Sequence, residues 1–202
     1  MSDRVVALDF GEMTEVVQFL MELDTLKNVE RRTRLLSNRR HENSAEHSWH
    51  LAMAVMSLAP FSRETINVPH AVQLALVHDI VEIDAGDVLV YDLAAREAIQ
   101  QQEAAAAERI FGLLPAGQGQ RLRALWDEYE AGTTAESRFA NMLDRALPIM
   151  LNLHNEGQSW RENGIHLEQV IARNVELAKL WPELWEHLQQ HLNSAHARGW
   201  LL

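Results

Sequence analysis

Helical periodicity runs through almost the whole chain and limits the folds that it can adopt. Apolar residues recur at intervals of three and four, whereas the alternating runs typical of strands are few and short. Most connections between the apolar stripes contain glycine or proline, which interrupt helices. The pattern therefore predicts an all-α bundle of about eight helices. The predicted stripes cover residues 16–23, 44–60, 69–86, 93–114, 120–129, 136–154, 167–180 and 185–192, with Ser44 as an N-cap.

The chain shows no sign of a second domain. Its 202 residues fit one domain, and it contains no repeat, composition shift or low-complexity linker. We expect residues 1–202 to form a single domain. The tryptophans of the C-terminal third are expected to pack in the core rather than form a ligand cage. They are Trp160, Trp181, Trp185 and Trp200.

Composition excludes several functional classes. The formal net charge of −11 argues against general binding to nucleic acids or anionic membranes, for which a basic surface supplies the affinity. The absence of cysteine excludes disulfides, thiolate metal ligands and a cysteine nucleophile. Neither a signal-like start nor a run of about 18 apolar residues occurs, so we expect a soluble, cytoplasmic protein without a membrane partner.

One short segment is strongly basic although the chain is acidic. Five arginines fall within ten positions, which leaves two interpretations open. They form either a solvated face or helix C-terminus, or an anion-binding site. They are Arg31, Arg32, Arg34, Arg39 and Arg40.

A histidine and an aspartate stand side by side in the third predicted helix, where apolar residues would be expected. Adjacent helical positions diverge by roughly 100°, so His78 and Asp79 reach one ion only near the helix flank. Other elements must then complete the ligand set, and His47 and Asp144 are the candidates. Together these four residues offer two nitrogen and two oxygen ligands, although each alone has an ordinary structural explanation.

Two further carboxylates strengthen the metal interpretation. Glu82 lies four residues after His78 and so projects from the same helix face, and Asp87 follows Gly86 in a predicted turn. Clustered carboxylates are costly unless a cation compensates their charge. They also supply a base beside a metal-polarised water, which hydrolysis requires.

Three blocks of sequence carry a family resemblance. They are ENSAEH at residues 42–47, HDIVE at residues 78–82, and Gly86-Asp87. In combination they resemble the HD-domain metal-dependent phosphohydrolases, particularly the branch that includes the 5'-deoxynucleotidases. The resemblance implies a single HD domain whose metal-binding core spans about residues 16–155, with C-terminal helices in residues 156–202. It implies one divalent metal ion bound by His47, His78, Asp79 and Asp144.

The resemblance also implies roles for the neighbouring residues. Glu82 would position or deprotonate the attacking water, while Asp87 would contact the sugar or assist the leaving oxygen. Arg32 would bind the substrate phosphate, for which a planar guanidinium is well suited. Arg40 is either a second phosphate ligand or a structural partner of Glu42.

We therefore expect a nucleotidase that releases phosphate from (deoxy)nucleoside 5'-monophosphates. The alternatives are a phosphodiesterase or nucleoside polyphosphate hydrolase of the same family, and a non-catalytic nucleotide-binding protein. Thr33 follows Arg32 where bacterial relatives have tryptophan, which leaves ribose and deoxyribose both open. The ligand set suits Mn²⁺, Co²⁺, Fe²⁺, Ni²⁺ or Zn²⁺, and Mg²⁺ is a further candidate. The family resemblance also suggests a homodimer.

Overall fold

A computed structural model describes residues 8–36, 40–87 and 93–202 of the chain, with only the backbone of residues 93–98. Arg39 lies outside the described residues. Within these ranges the chain forms eleven α-helices and one antiparallel pair of short strands, so the predicted all-α class is confirmed. The elements are α1 (Thr14–Asp24), β1 (Glu30–Arg34), β2 (His41–Asn43), α2 (Ser44–Leu58), α3 (Val68–Val77), α4 (Glu82–Ala85), α5 (Leu93–Phe111), α6 (Ala116–Ala131), α7 (Ala135–His154), α8 (Gln158–Asn163), α9 (Leu167–Arg173), α10 (Val175–Leu180) and α11 (Pro182–Ala197).

The structure divides two of the predicted helices. The third predicted helix ends at Val77, and a tight turn with hydrogen bonds of the i to i+3 type leads into α4. The stripe at residues 167–180 is broken at Asn174, whose side-chain amide donates to the Val170 carbonyl oxygen over 2.8 Å. The short helix α8 lies between two left-handed glycines, Gly157 and Gly164.

The N-cap of α2 is Asn43, so the prediction of Ser44 is wrong by one residue. The Asn43 side chain accepts the Glu46 amide at 2.9 Å, and the Glu46 carboxylate accepts the Asn43 amide at 3.2 Å. This reciprocal pair is a capping box, which satisfies two amides at the start of the helix. Ser44 is therefore the first helical residue, and its hydroxyl is available for a contact elsewhere.

The hydrophobic core lies between α2, α3 and α7. Leu51, Leu74 and Leu143 come from these three helices and are almost completely buried. Burial of a leucine side chain stabilises the fold by about 1.5–3 kcal/mol, so these contacts hold the three helices firmly. In consequence, residues at the ends of α2, α3 and α7 have fixed relative positions.

The C-terminal tryptophans belong to this core, as predicted. Trp160 and Trp181 are buried, while Trp185 and Trp200 are partly buried and pack against core residues.

Among the described residues, no helix is both long and apolar enough to cross a lipid bilayer.

The first three arginines of the basic segment lie in a strand rather than at a helix terminus. Arg31, Arg32 and Arg34 lie in β1, which pairs with β2 and packs against α7 and α8. The helical interpretation of the arginine cluster is therefore wrong. Successive strand residues point to opposite faces, so neighbouring arginines reach different surroundings.

Candidate metal centre

Side chains from two helices and the turn after α3 meet at one buried point. His47 lies in the first turn of α2, His78 directly follows α3, and Asp144 lies in the middle of α7. One ligand atom from each residue lies within 4.8 Å of the others. The His47 Nε2 atom is 2.8 Å from Asp144 Oδ1, and both imidazoles are almost fully buried. These residues were three of the four predicted ligands.

His78 is oriented for ligation by its second ring nitrogen. Its Nδ1 atom lies 2.8 Å from the Ala75 carbonyl oxygen, which can only accept a hydrogen bond. Nδ1 therefore carries the proton in the neutral ring, and Nε2 presents its lone pair. Nε2 is buried without a hydrogen bond and faces Asp79 Oδ1 at 2.8 Å and Asp144 Oδ1 at 3.9 Å.

The surroundings of His78 favour positive charge. Burial acts against protonation of the ring, but attraction by Asp79 outweighs it and raises the pKa of His78 to about 9. A similar balance lowers the pKa of Asp144, because the hydrogen bond from His47 and nearby positive charges outweigh burial. Buried imidazole nitrogens facing carboxylates form a donor set that fits a divalent transition-metal ion.

Glu42 stands behind His47. This carboxylate is almost fully buried, and its Oε2 atom lies 3.5 Å from His47 Nδ1, on the side of the ring opposite Asp144. A carboxylate behind a ligating histidine fixes the ring orientation and increases its basicity. In the sequence, Glu42 is a candidate partner of Arg40; the structure places its carboxylate against His47.

Arg31 occupies the middle of the acidic cluster, a position that the sequence did not predict. Its guanidinium is 2.7 Å from Asp79, 3.7 Å from both Glu82 and Asp87, and 4.0 Å from Asp144. Burial opposes the charge of this guanidinium, but attraction by the four carboxylates raises the pKa of Arg31. Arg31 thus compensates acidic charge within the protein itself.

Glu82 and Asp87 both lie 3.7 Å from the Arg31 guanidinium that contacts Asp79, although the helix face predicted to join His78 and Glu82 is interrupted by the break after Val77. The Glu82 carboxylate accepts a short hydrogen bond from the Ser44 hydroxyl at the start of α2. Burial, followed by repulsion from Asp79, raises the pKa of Glu82 well above its ordinary value. Burial also raises the pKa of Asp87. Both side chains are largely withdrawn from solvent, with 12% and 11% of their surface exposed.

A cleft of about 780 Å³, including its open mouth, extends from this cluster. Asp87 and Asp144 line one end, and Trp160 and Asn174 line other parts of the wall. Arg32 is exposed and lines the cleft, so it is accessible to a ligand there.

Arg40 has a different environment. Its guanidinium forms two hydrogen bonds to Glu46, at 2.8 and 2.6 Å, and one to the His41 carbonyl oxygen. Of the two roles considered, these contacts favour a structural one, although the carboxylate is Glu46 instead of the expected Glu42. A phosphate contact by Arg40 remains a prediction.

Comparison with known proteins identifies the family. The model of the HD domain family matches residues 23–185. This chain belongs to the HD-domain family. A solved structure from Magnetospirillum magnetotacticum MS-1, described as a predicted metal-dependent phosphohydrolase, is 37% identical with a TM-score of 0.86. The alignment covers 94% of this chain and 97% of that one. The resemblance inferred from the three sequence blocks is therefore confirmed.

Animal relatives share a shorter region with this HD-domain chain. A Bos taurus protein named 5'-deoxynucleotidase HDDC2 is 35% identical over 136 residues, which is 67% of this chain and 65% of the relative. The Xenopus laevis protein of the same name is 33% identical over 142 residues, or 70% of this chain and 69% of the relative. The matched region thus spans slightly less than two thirds of the bovine protein.

Proposed function

We propose that this HD-domain protein is a metal-dependent phosphomonoester hydrolase that acts on (deoxy)nucleoside 5'-monophosphates. The observation that carries the proposal is the meeting of His47, His78 and Asp144 beside a cleft that Asp87 and Asp144 line, with Glu82 and Asp87 both close to Arg31. The names of the animal relatives support the nucleotide substrate.

One divalent metal ion would be bound by His47, His78, Asp79 and Asp144. Mn²⁺, Co²⁺, Fe²⁺, Ni²⁺, Zn²⁺ and Mg²⁺ are the candidates, because the donor set is mixed imidazole and carboxylate. Such an ion, when bound, lowers the pKa of a water molecule and polarises a phosphoryl oxygen. Glu42 keeps the His47 ring in its ligating orientation.

Glu82 and Asp87 supply the proton chemistry in this proposal. The Ser44 hydroxyl holds the Glu82 carboxylate in place, so that Glu82 orients the attacking water and accepts its proton. Asp87 lines the cleft and lies near the departing 5'-oxygen, to which it transfers or directs a proton. Arg32, which lies in β1 and lines the cleft, binds the phosphate.

A panel assay tests the proposal. Wild-type protein, stripped of metal and supplied with Mn²⁺, Co²⁺ or Mg²⁺, is expected to release orthophosphate from one or more nucleoside 5'-monophosphates. Asp79→Ala and Glu82→Ala should abolish this release, whereas Glu15→Ala, an exposed carboxylate on α1, should preserve it. Full turnover by both site variants would contradict the assignment.

The product distinguishes the two related activities. A nucleoside polyphosphate hydrolase would release pyrophosphate or tripolyphosphate. A phosphodiesterase would cleave a diester without releasing orthophosphate. Tight nucleotide binding without turnover in any metal would favour a non-catalytic nucleotide-binding protein. Release of orthophosphate from monoesters is the result that supports our proposal.

The remaining expectations extend the proposal. We place the activity in one domain of residues 1–202, in a homodimer, and in the cytoplasm, where a chain without cysteines is well suited to reducing conditions. An exposed apolar stripe on α2 supports the dimer. Trp49, Met53 and Met56 lie on one face of the helix and are 63%, 42% and 53% exposed.

A further inference from the structure

Helix α7 provides one wall of the cleft beside the metal centre. Asp144, Pro148 and Asn152 are spaced by four residues and therefore share a helix face. The rise of about 1.5 Å per residue places Asn152 about 12 Å along the helix from Asp144. The cleft is thus long enough to hold a substrate whose reacting phosphate lies at the acidic end.

Most polar side chains of the cleft are already paired within the protein. Asn152 donates to the Pro148 carbonyl oxygen and accepts from the Ser159 hydroxyl, both at 3.0 Å. Asn163 donates to the Ser159 carbonyl oxygen at 2.8 Å. Because their hydrogen-bonding capacity is largely used within the protein, these groups contribute mainly to the shape of the cleft wall.

Two arginines of the cleft, in contrast, have no nearby carboxylate among the described residues. Arg32 in β1 and Arg145 in α7 both line it, and no carboxylate in the described part of the chain lies within 4.0 Å of either guanidinium. Elsewhere Arg34, Arg109 and Arg138 each form an ion pair with a carboxylate. In a chain of net charge −11, uncompensated guanidiniums beside a cleft are the groups available to an anion.

Position favours a role for Arg145 at the reacting end. It directly follows the candidate ligand Asp144 and is half-buried on a helix whose core face is fixed by packing. Arg32 comes from β1, which packs against α7. The two arginines therefore line the cleft from different elements, and the candidate ligand Asp144 lines the same cleft.

We propose that Arg145 joins Arg32 at the phosphoryl group, and that the pair selects phosphomonoesters over phosphodiesters. This inference deepens the proposed function and rests on it for the identity of the reacting phosphate. A phosphomonoester carries a charge of about −1.5 to −2 near neutral pH, whereas a diester carries one negative charge. Two guanidiniums, each able to form paired hydrogen bonds, match the dianion and its three free oxygens.

A binding experiment tests the arginine pair without requiring turnover. Calorimetry at pH 8 would measure the affinity of metal-saturated protein for orthophosphate and for dimethyl phosphate. Arg145→Met should weaken orthophosphate binding by about tenfold or more, and dimethyl phosphate binding by less than about threefold. Arg145→Lys keeps the positive charge but lacks the planar guanidinium that forms paired hydrogen bonds. Its affinity for orthophosphate should therefore lie between those of the wild type and Arg145→Met.

Arg161→Met serves as the matched control. Arg161 is exposed on α8, next to residues of the cleft wall, but is not part of that wall. This variant changes the net charge equally and should leave both affinities unchanged. Orthophosphate affinity that is unchanged in Arg145→Met, or equal losses for both anions, would overturn the inference.

Turnover separates this inference from the proposed function. In one outcome, the wild type hydrolyses nucleoside 5'-monophosphates while Arg145→Met keeps its full affinity for orthophosphate. That result would overturn phosphate binding by the arginine pair but not the proposed nucleotidase activity. Selective loss of orthophosphate binding in Arg145→Met, with no hydrolysis by the wild type, would support the pair and contradict the nucleotidase.

Discussion

The Arg31 guanidinium donates a hydrogen bond to Asp79 Oδ2 over 2.7 Å and so joins β1 to the turn between α3 and α4. The same guanidinium lies 3.7 Å from Glu82 and from Asp87. Only 11% of the Arg31 side chain is exposed, so its charge acts in a largely dry environment. Arg31 therefore compensates charge on three carboxylates of the candidate site.

Arg31→Met should destabilise the metal-free protein by about 3–5 kcal/mol, because it leaves buried carboxylates without their cation. Urea unfolding in the presence of a chelator measures this loss. Saturating Mn²⁺ should reduce it, since a bound cation compensates the same acids. Arg34→Met, which breaks a partly exposed pair with Glu162, should cost about 1 kcal/mol or less. Equal losses in the two variants would contradict the role of Arg31.

Glu42→Gln should weaken metal binding while the protein stays folded. The substitution keeps the shape of the buried side chain but removes the negative charge 3.5 Å from His47 Nδ1. Loss of such a partner costs about 10–100-fold in metal affinity. Competition with a chromophoric chelator measures the change, with the exposed Glu15→Gln as a control. A metal affinity equal to that of the wild type would show that Glu42 does not support metal binding.

Ser44→Ala should lower kcat and leave KM nearly unchanged. The Ser44 hydroxyl donates to Glu82, and its loss frees the carboxylate from the orientation that water activation requires. A tenfold fall in kcat corresponds to about 1.4 kcal/mol, within the usual range for loss of such a hydrogen bond. Steady-state kinetics of orthophosphate release measures both constants. Ser57→Ala, on the exposed face of the same helix, should behave as the wild type.

Paired substitutions on α2 test the homodimer. Trp49→Glu combined with Met53→Glu places two charges on the exposed apolar stripe, so a dimer formed through this face should dissociate. Sedimentation should give twice 23.0 kDa for the wild type and 23.0 kDa for the double variant. Val175→Glu, an exposed apolar position on α10, should remain dimeric. A dimeric double variant would exclude this face.

The sequence predicted the helices well where apolar periodicity was continuous. It missed the break after Val77, since neither proline nor glycine marks that turn, and it missed the break at Asn174. There the asparagine side chain competes with the backbone for the Val170 carbonyl oxygen. The strand Glu30–Arg34 lacks an apolar alternation, so periodicity could not reveal it.

The candidate ligands were predictable because their residue types are unusual on buried helices. The role of Arg31 was not, because several arginines are adjacent and only the register of β1 decides which one enters the acidic cluster. Arg145 was also missed, because its position on the cleft depends on how α7 packs against β1. Composition identifies such residues as candidates, but tertiary packing assigns their contacts.

Stoichiometric metal titration tests the central claim most directly. Protein stripped of metal should release no orthophosphate from nucleoside 5'-monophosphates, and added Mn²⁺ or Co²⁺ should restore release up to one equivalent per chain. Asp144→Ala should lose both the tightly bound metal ion and the activity, because Asp144 contacts His47 directly and lies near His78. Undiminished phosphate release in the presence of a chelator, or by Asp144→Ala without bound metal, would contradict the account.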